Sequence, residues 1–215
     1  MNAHVHNLKP QLQQGIEQLG LVAGESLTEA LLGLLAELLR WNKAYNLTSV
    51  RDPYEMLTRH IFDSLSVDNY IKSETVLDVG TGAGFPGIPL ALLNPHSSFV
   101  LMDSNGKKIR FIEHAVRTLG LQNVLPLQAR VESHPDDVAF ETIVCRAYSS
   151  LKAFVTTSGH LLASGGEMVA MKGRVPEEEL AELPEGWELC RVDPVEVPGL
   201  EGQRHIVVLK REKAH

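Results

Sequence analysis

The residues with the most chemistry in their spacing run from Asp78 to Gly87: Asp-Val-Gly-Thr-Gly-Ala-Gly-Phe-Pro-Gly. An apolar stretch, Val76 to Val79, carries a carboxylate and ends in glycines at Gly80, Gly82, Gly84 and Gly87. Glycine lets backbone amides come close to a ligand, and a helix opening just after the glycines turns its positive end toward the same point. A plain strand-to-helix turn needs one or two glycines, so four argue for a bound ligand.

Two cofactors fit such a loop. Gly82, Gly84 and Gly87 satisfy the G-x-G-x-x-G pattern, and Asp103 ends the next apolar run 21 residues beyond Gly82, where a dinucleotide fold keeps its ribose-binding carboxylate. A nicotinamide-dependent oxidoreductase is therefore one reading. Against it, only 128 residues follow Gly87, and they provide neither a second mononucleotide half nor a substrate domain. The other pattern is D-x-G-x-G-x-G, in Asp78, Gly80, Gly82 and Gly84, which sets a carboxylate in front of the loop. Asp78 favours the sulfonium or ammonium of S-adenosylmethionine and repels a pyrophosphate.

The elements that must hold this loop follow from periodicity. Leu8, Leu12, Ile16 and Leu19 recur at helical spacing before Gly20, which stops the first helix. Ser26 and Glu29 form a capping box for a second, whose stripe runs through Leu27, Leu31, Leu34, Leu35, Leu38 and Trp41. Asp52 and Pro53 start a third, through Met56, Leu57, His60, Ile61 and Leu65. Beyond Ile71 the period changes. Strand-like runs at 75–79, 99–103, 124–128, 142–146 and 167–172 alternate with helical stretches near 86–93, 106–119 and 150–162, the pattern of a parallel sheet covered on both faces. Runs 187–197 and 205–210 have no helix between them and predict an antiparallel hairpin at the sheet edge. Two regions result: an N-terminal helical cap over 1–72 and a cofactor domain over 73–215. The run Glu177, Glu178, Glu179 and Glu182 reads as a solvated helix face.

Composition limits the partners. The 215 residues are 44% hydrophobic and 22% charged, the balance of a globular chain, and no apolar window is long enough for a membrane helix. The first ten residues do not form a secretory signal, so a cytoplasmic protein is expected. Cys145 and Cys190 read as reduced thiols, and the nine histidines show no metal-ligand spacing, so no metal site is expected. Net charge is −7, so a polyanion must meet a local patch; Lys107, Lys108, Arg110 and Arg117, or Lys172 and Arg174, are the candidates.

The ordered set of motifs resembles one family. Asp78 to Pro89 together with Leu101-Met102-Asp103-Ser104, Lys107-Lys108, Arg130-Val131-Glu132, Cys145-Arg146-Ala147, Met171-Lys172-Gly173 and Arg204-His205 is similar to the small-subunit ribosomal RNA guanine-N7 methyltransferases, the RsmG (GidB) family. Upstream, Trp41-Asn42, Tyr45 to Thr48 and His60 to Ser64 match too, so the likeness spans nearly the whole chain. Ala83 and Phe85 stand where proline and leucine are more usual in that family.

The resemblance implies a Rossmann-like α/β class I methyltransferase fold: a mostly parallel seven-stranded sheet, a C-terminal antiparallel hairpin and an N-terminal helical extension. It implies S-adenosylmethionine as cofactor and 16S ribosomal RNA within the assembled small subunit as partner; apart from the resemblance, a monomer is expected. It carries cofactor binding to Gly80, Phe85, Val131, Glu132 and Arg146. Physical roles accompany these: Asp103 accepts from ribose hydroxyls, Val131 and Glu132 meet the adenine edge, and Gly82 and Asp78 of the loop are expected to bind the cofactor as well. Arg146, the expected catalytic residue, pairs either with the methionine carboxylate or with a substrate phosphate; a strand-end ion pair is its bland alternative. Guanine N7 has a lone pair and no proton to lose, so no general base is required. Consistent with that, the position after the fourth strand reads Cys145-Arg146-Ala147-Tyr148 and not the Asn/Asp-Pro-Pro-aromatic sequence of amino-group methylation. Tyr148, Phe85 and Tyr45 are candidates to stack on a base, or else core; the Trp41 to Thr48 segment either reaches RNA or closes the cleft. A non-catalytic ribosome assembly factor on the same fold is the remaining alternative.

Overall fold

A computed structural model describes residues 3–212. The chain begins with a single turn, α1 (Ala3–His6), and α2 (Lys9–Gln18), whose Leu12 and Ile16 are buried. Next comes α3 (Glu25–Tyr45), with Leu31, Leu34, Leu35 and Leu38 facing the core. The expected capping box at Ser26 and Glu29 does not form. Gly24 is the N-cap without a side-chain bond, and Glu29 instead accepts from Lys9 Nζ at 2.8 Å, together with Glu25. A cation from the preceding helix outcompetes the backbone amide for that carboxylate. At the far end Asn46 closes the helix in the left-handed region (φ 51°), which asparagine tolerates.

Asp52 caps α4 (Pro53–Met56), accepting from Tyr54 N and Glu55 N at 2.9 and 3.0 Å. The helix continues through a π turn, Leu57–Phe62, into α5 (Asp63–Leu65). Such turns concentrate at functional sites, and this one carries His60 and leads into Asp63.

Seven strands form one sheet: β1 (Thr75–Val79), β2 (Ser98–Asp103), β3 (Val124–Gln128), β4 (Phe140–Arg146), β5 (Leu162–Lys172), β6 (Trp187–Val195) and β7 (Arg204–Arg211), in the order β3-β2-β1-β4-β5-β7-β6. The first five are parallel; β7 runs antiparallel between β5 and β6. The predicted hairpin forms, but its second strand pairs inward and leaves β6 at the edge. Covering helices are α6 (Gly87–Leu93), α7 (Gly106–Leu119), α8 (Leu151–Ser158) and the short α9 (Glu177–Ala181).

Alternate residues of the strands serve opposite faces. Val76 and Val144 join one core cluster; Leu77, Val79, Ile143 and Cys145 join the other. The first cluster runs from Val5 to Val208 and includes Leu31, Leu35 and Ile61, so residues 1–72 and 73–215 share one core. Among the described residues no helix is long and apolar enough to cross a membrane.

Candidate functional site

Chain direction puts the carboxyl ends of β1, β2 and β4 on one edge, the place where open α/β sheets bind ligands. The glycine loop leaves β1 there. Gly80, Gly82 and Gly84 have φ of 67°, 64° and 85°, values an L side chain rarely adopts, so the loop requires glycine at all three.

Asp78 holds that loop from beneath. It is fully buried; Oδ2 accepts from Thr81 Oγ1 at 2.6 Å and from Gly87 N at 2.8 Å, while Oδ1 is buried with no partner among the described residues. Burial pushes its carboxyl up to about 6, against the pull of the Thr81 and Gly87 bonds and of the Arg146 charge. Asp78 is thus the floor of the loop, not an exposed ligand.

Asp103, at the end of β2, ties the two strand ends together. Oδ2 accepts from Gly82 N at 3.0 Å and lies 3.4 Å from Lys108 Nζ; Oδ1 accepts from Asn105 N at 2.8 Å. The cleft beside it, about 280 Å³, is lined by Gly80, Asp103, Val131 and Glu132, with Lys108 and Tyr148 among its other walls. Four residues expected to hold cofactor thus converge on one cavity. Val131 is buried at the start of a single 3-10 turn, and Glu132 is exposed beside it. The Tyr148 hydroxyl is 2.7 Å from Thr157 Oγ1.

Phe85 and Arg146 lie to one side of that cleft, in a separate stack. The Phe85 ring is buried, with the peptide to Pro86 cis, and the His60 ring stacks on it at 5.0 Å with 25° between planes. Arg146 Cζ lies 5.7 Å from the Phe85 centroid. Arg146 Nη1 donates to the Arg59 carbonyl at 2.8 Å and to Asp63 Oδ2 at 3.2 Å; Arg204 Nε donates to Asp63 Oδ1 at 2.9 Å. The strand-end ion pair therefore exists, and it is shared by two arginines. The next residue, Ala147, sits in the left-handed region (φ 58°), a strain of about 1–2 kcal/mol located where β4 meets the site.

His60 Nε2 is 3.0 Å from Thr48 Oγ1 and Nδ1 is 3.1 Å from the Arg59 carbonyl. Burial and the Arg146 charge drive its pKa down to about 4, so the ring is neutral at physiological pH. Thr48 is itself held by Asn42, whose Oδ1 accepts from Thr48 N at 2.9 Å and whose amide donates to the Val50 carbonyl at 3.1 Å. The Trp41 to Thr48 segment thereby buttresses the His60–Phe85 stack.

Cys145 is buried, and burial raises its thiol, as suits an inert core residue. Lys107 and Arg110 are exposed, as a solvated face of α7 requires. Tyr45 is 45% exposed. The acidic run is not wholly solvated: Glu179 Oε2 accepts from Lys172 Nζ at 2.8 Å and from Leu151 N at 2.6 Å, anchoring α9 to the end of β5. Asp63 went unassigned from sequence because its partners are 83 and 141 residues away, and no local pattern encodes such pairs.

The chain matches the family described as rRNA small subunit methyltransferase G over residues 27–207. It is 46% identical over 206 residues to the ribosomal RNA small subunit methyltransferase G of Photobacterium profundum, spanning 96% of this chain and 100% of that one. To the protein of the same name from Alkalilimnicola ehrlichii it is 48% identical over 200 residues, spanning 93% and 91%. Among solved structures, a SAM-dependent methyltransferase from Aquifex aeolicus superposes with a TM-score of 0.56 at 21% identity, covering 76% of this chain and 96% of that one. TrmN from Thermus thermophilus gives 0.57 at 21% identity, covering 73% and 53%. These two share the fold.

Proposed function

The chain belongs to the rRNA small subunit methyltransferase G family, and from that premise we propose that it methylates nitrogen 7 of one guanine in 16S ribosomal RNA, acting as a cytoplasmic monomer on the assembled small subunit. The observation that carries the cofactor assignment is the convergence of Gly80, Asp103, Val131 and Glu132 on one cleft at the carboxyl edge of the sheet. S-adenosylmethionine held there supplies an electrophilic methyl group on a sulfonium.

In this reading Asp103 receives the ribose hydroxyls on lone pairs left over from Gly82 and Asn105, and the exposed Gly80 backbone admits the methionine portion. The buried carboxylate of Asp78 beneath the loop would favour a cationic sulfonium bound at the loop. The guanine N7 lone pair forms the new carbon–nitrogen bond as the sulfur–methyl bond breaks, and the positive charge passes from sulfur to the purine. No proton moves. Two potential participants are accordingly silent: His60 is neutral with both ring nitrogens engaged, and the Cys145 thiol is raised by burial. In this reading Arg146 orients the incoming nucleotide or the methionine carboxylate with the N–H groups that Asp63 and the Arg59 carbonyl leave free.

The test is transfer of labelled methyl to small ribosomal subunits from cells lacking this enzyme, followed by chemical cleavage at 7-methylguanine. One cleavage site in the 16S RNA is expected; cofactor binding without transfer would refute the substrate.

A further inference from the structure

A second cavity is separate from the cofactor cleft. It encloses about 820 Å³ and is lined by residues 194–200 and Gly202 of the connection, by Gln203, Arg204 and His205 at the start of β7, and by Gln18 of α2. That volume is within the range of nucleotide-sized ligand sites. Strand direction sets its place. Val195 pairs with Arg204, and His205 pairs with Lys172, the last residue of β5. The cavity therefore opens on the same edge as the carboxyl ends of the parallel strands, the edge where Arg146 sits.

Two observations mark it as a site. His205 is 8% exposed, and its Nδ1 is buried with no hydrogen-bond partner among the described residues. A buried ring nitrogen left unpaired costs stability, which a group bound in the cavity that His205 lines would recover. Second, Arg204 is pre-oriented: Nε is committed to Asp63 Oδ1 at 2.9 Å and Nη1 to the Gln203 carbonyl at 3.1 Å, while Nη2 makes no bond among the described residues. Its side chain is 29% exposed, so its field is only partly screened. Asp63 is shared by Arg204 and Arg146, so it balances only one of the two guanidinium groups it holds.

We propose that this cavity holds one nucleotide of the single-stranded RNA flanking the target guanine, with a phosphate on Arg204 and a ribose hydroxyl or base edge on His205 Nδ1. This rests on the ribosomal RNA reading above and names its second contact. A guanidinium with free N–H groups suits a phosphate. The amides of Gln18 and Gln203 supply donors and acceptors for a base edge, and Glu196, the one carboxylate in the lining, takes an amino group or a 2′-hydroxyl. Because Arg204 and Arg146 share one carboxylate, a strand held at Arg204 passes directly to Arg146 and the cofactor edge. An acidic enzyme gains its substrate by such preset contacts, not by diffuse attraction.

The experiment is steady-state methyl transfer to small subunits by three variants: the double substitution Gln18→Ala with Gln203→Ala, both residues being exposed and safe for folding; His205→Leu; and His205→Asn, which restores a hydrogen-bonding group near Nδ1. Expected is a KM for the subunit raised about tenfold in the first two, matching the loss of one or two hydrogen bonds. Expected too are kcat and the melting-temperature rise with S-adenosylmethionine within twofold of wild type, and KM at least half restored in His205→Asn. Unchanged KM in both the double variant and His205→Leu overturns the proposal while methyl transfer itself leaves the family reading standing. A melting-temperature rise with millimolar nucleoside monophosphate, lost in His205→Leu, alongside unchanged KM would give the cavity to a free nucleotide and overturn the RNA assignment. A wild-type enzyme that binds S-adenosylmethionine but transfers nothing to subunits overturns the substrate reading, and this inference with it.

Discussion

Arg146 and Asp63 meet across 83 residues of chain, Nη1 to Oδ2 at 3.2 Å, and the contact joins the end of β4 to the helix that carries the π turn. Asp63 is the more exacting member, because its other oxygen holds Arg204 at 2.9 Å and its side chain is only 4% exposed. Arg146→Ala leaves the carboxylate still paired; Asp63→Ala leaves two guanidinium groups facing one another. We therefore expect Arg146→Ala to abolish methyl transfer with a small change in melting temperature. Asp63→Ala should cost about 2 kcal/mol, below the usual value for breaking a buried pair because both arginines are partly solvated. That corresponds to a drop of about 4–8 °C for a domain of this size. Thermal melts alongside transfer assays check both, and equal destabilisation by the two variants would refute the shared clamp.

How legible this was depended on range. Thr75–Val79 and Gly106–Leu119 appear with the bounds their periodicity predicts, because each is bordered by a strong breaker or cap. β5 begins five residues earlier than its apolar run, since Leu162 already pairs with Phe140 of β4, and Ala163 to Gly166, which lie at the register shift before Glu167 meets Thr142, carry no apolar alternation. Of the residues that line the cleft, Asp103 is readable from its place at a strand end 21 residues beyond Gly82, whereas Gly80, Val131 and Glu132 come from the likeness to the family. The Asp63 clamp and the partnerless His205 were not, since both arise from side chains brought together only by the order of the strands. Glu29 shows the converse, a local motif overridden by a cation from another helix.

The glycines of the loop separate backbone strain from ligand approach. A Cβ on Gly80 meets nothing within 4 Å, so Gly80→Ala carries only the left-handed penalty of about 1 kcal/mol. On Gly84 the same atom falls 2.4 Å from Ile88 Cδ1, inside the core, and Gly84→Ala should cost about 2–3 kcal/mol. Calorimetric titration with S-adenosylmethionine is expected to show at least tenfold weaker binding for Gly80→Ala despite its near-native melting temperature. Normal binding by that variant would remove Gly80 from the cofactor site.

Two buried groups titrate in opposite directions. Asp78 has a folded pKa near 6, above its ordinary 3.8, so its contribution is present at low pH and is lost as pH rises through 6. His60, near 4 against an ordinary 6.5, contributes above 6.5 and loses that contribution as pH falls toward 4. In the cofactor-free protein the two oppose each other between pH 4 and 6.5. Melting curves across that window should therefore fall more steeply on acidification for Asp78→Asn than for wild type, and less steeply for His60→Phe. Parallel curves for all three proteins would contradict the assignment of either group.

Cofactor binding should couple to the same Asp78 proton. A sulfonium above the loop favours the carboxylate over the acid, as the Arg146 charge already does, while Asp103 opposes it. Binding must then expel the proton wherever the free protein holds it, below about pH 6. Affinity for S-adenosylmethionine is expected to rise from pH 5 to 7 and level off, with binding at pH 5 about tenfold weaker than the plateau. The α-amino group of the ligand stays charged across that range, so the change belongs to the protein. In Asp78→Asn the dependence should flatten at a lower overall affinity. An unaltered pH profile in that variant would move the proton to another group, and would leave Asp78 as a brace for Thr81 and Gly87 alone.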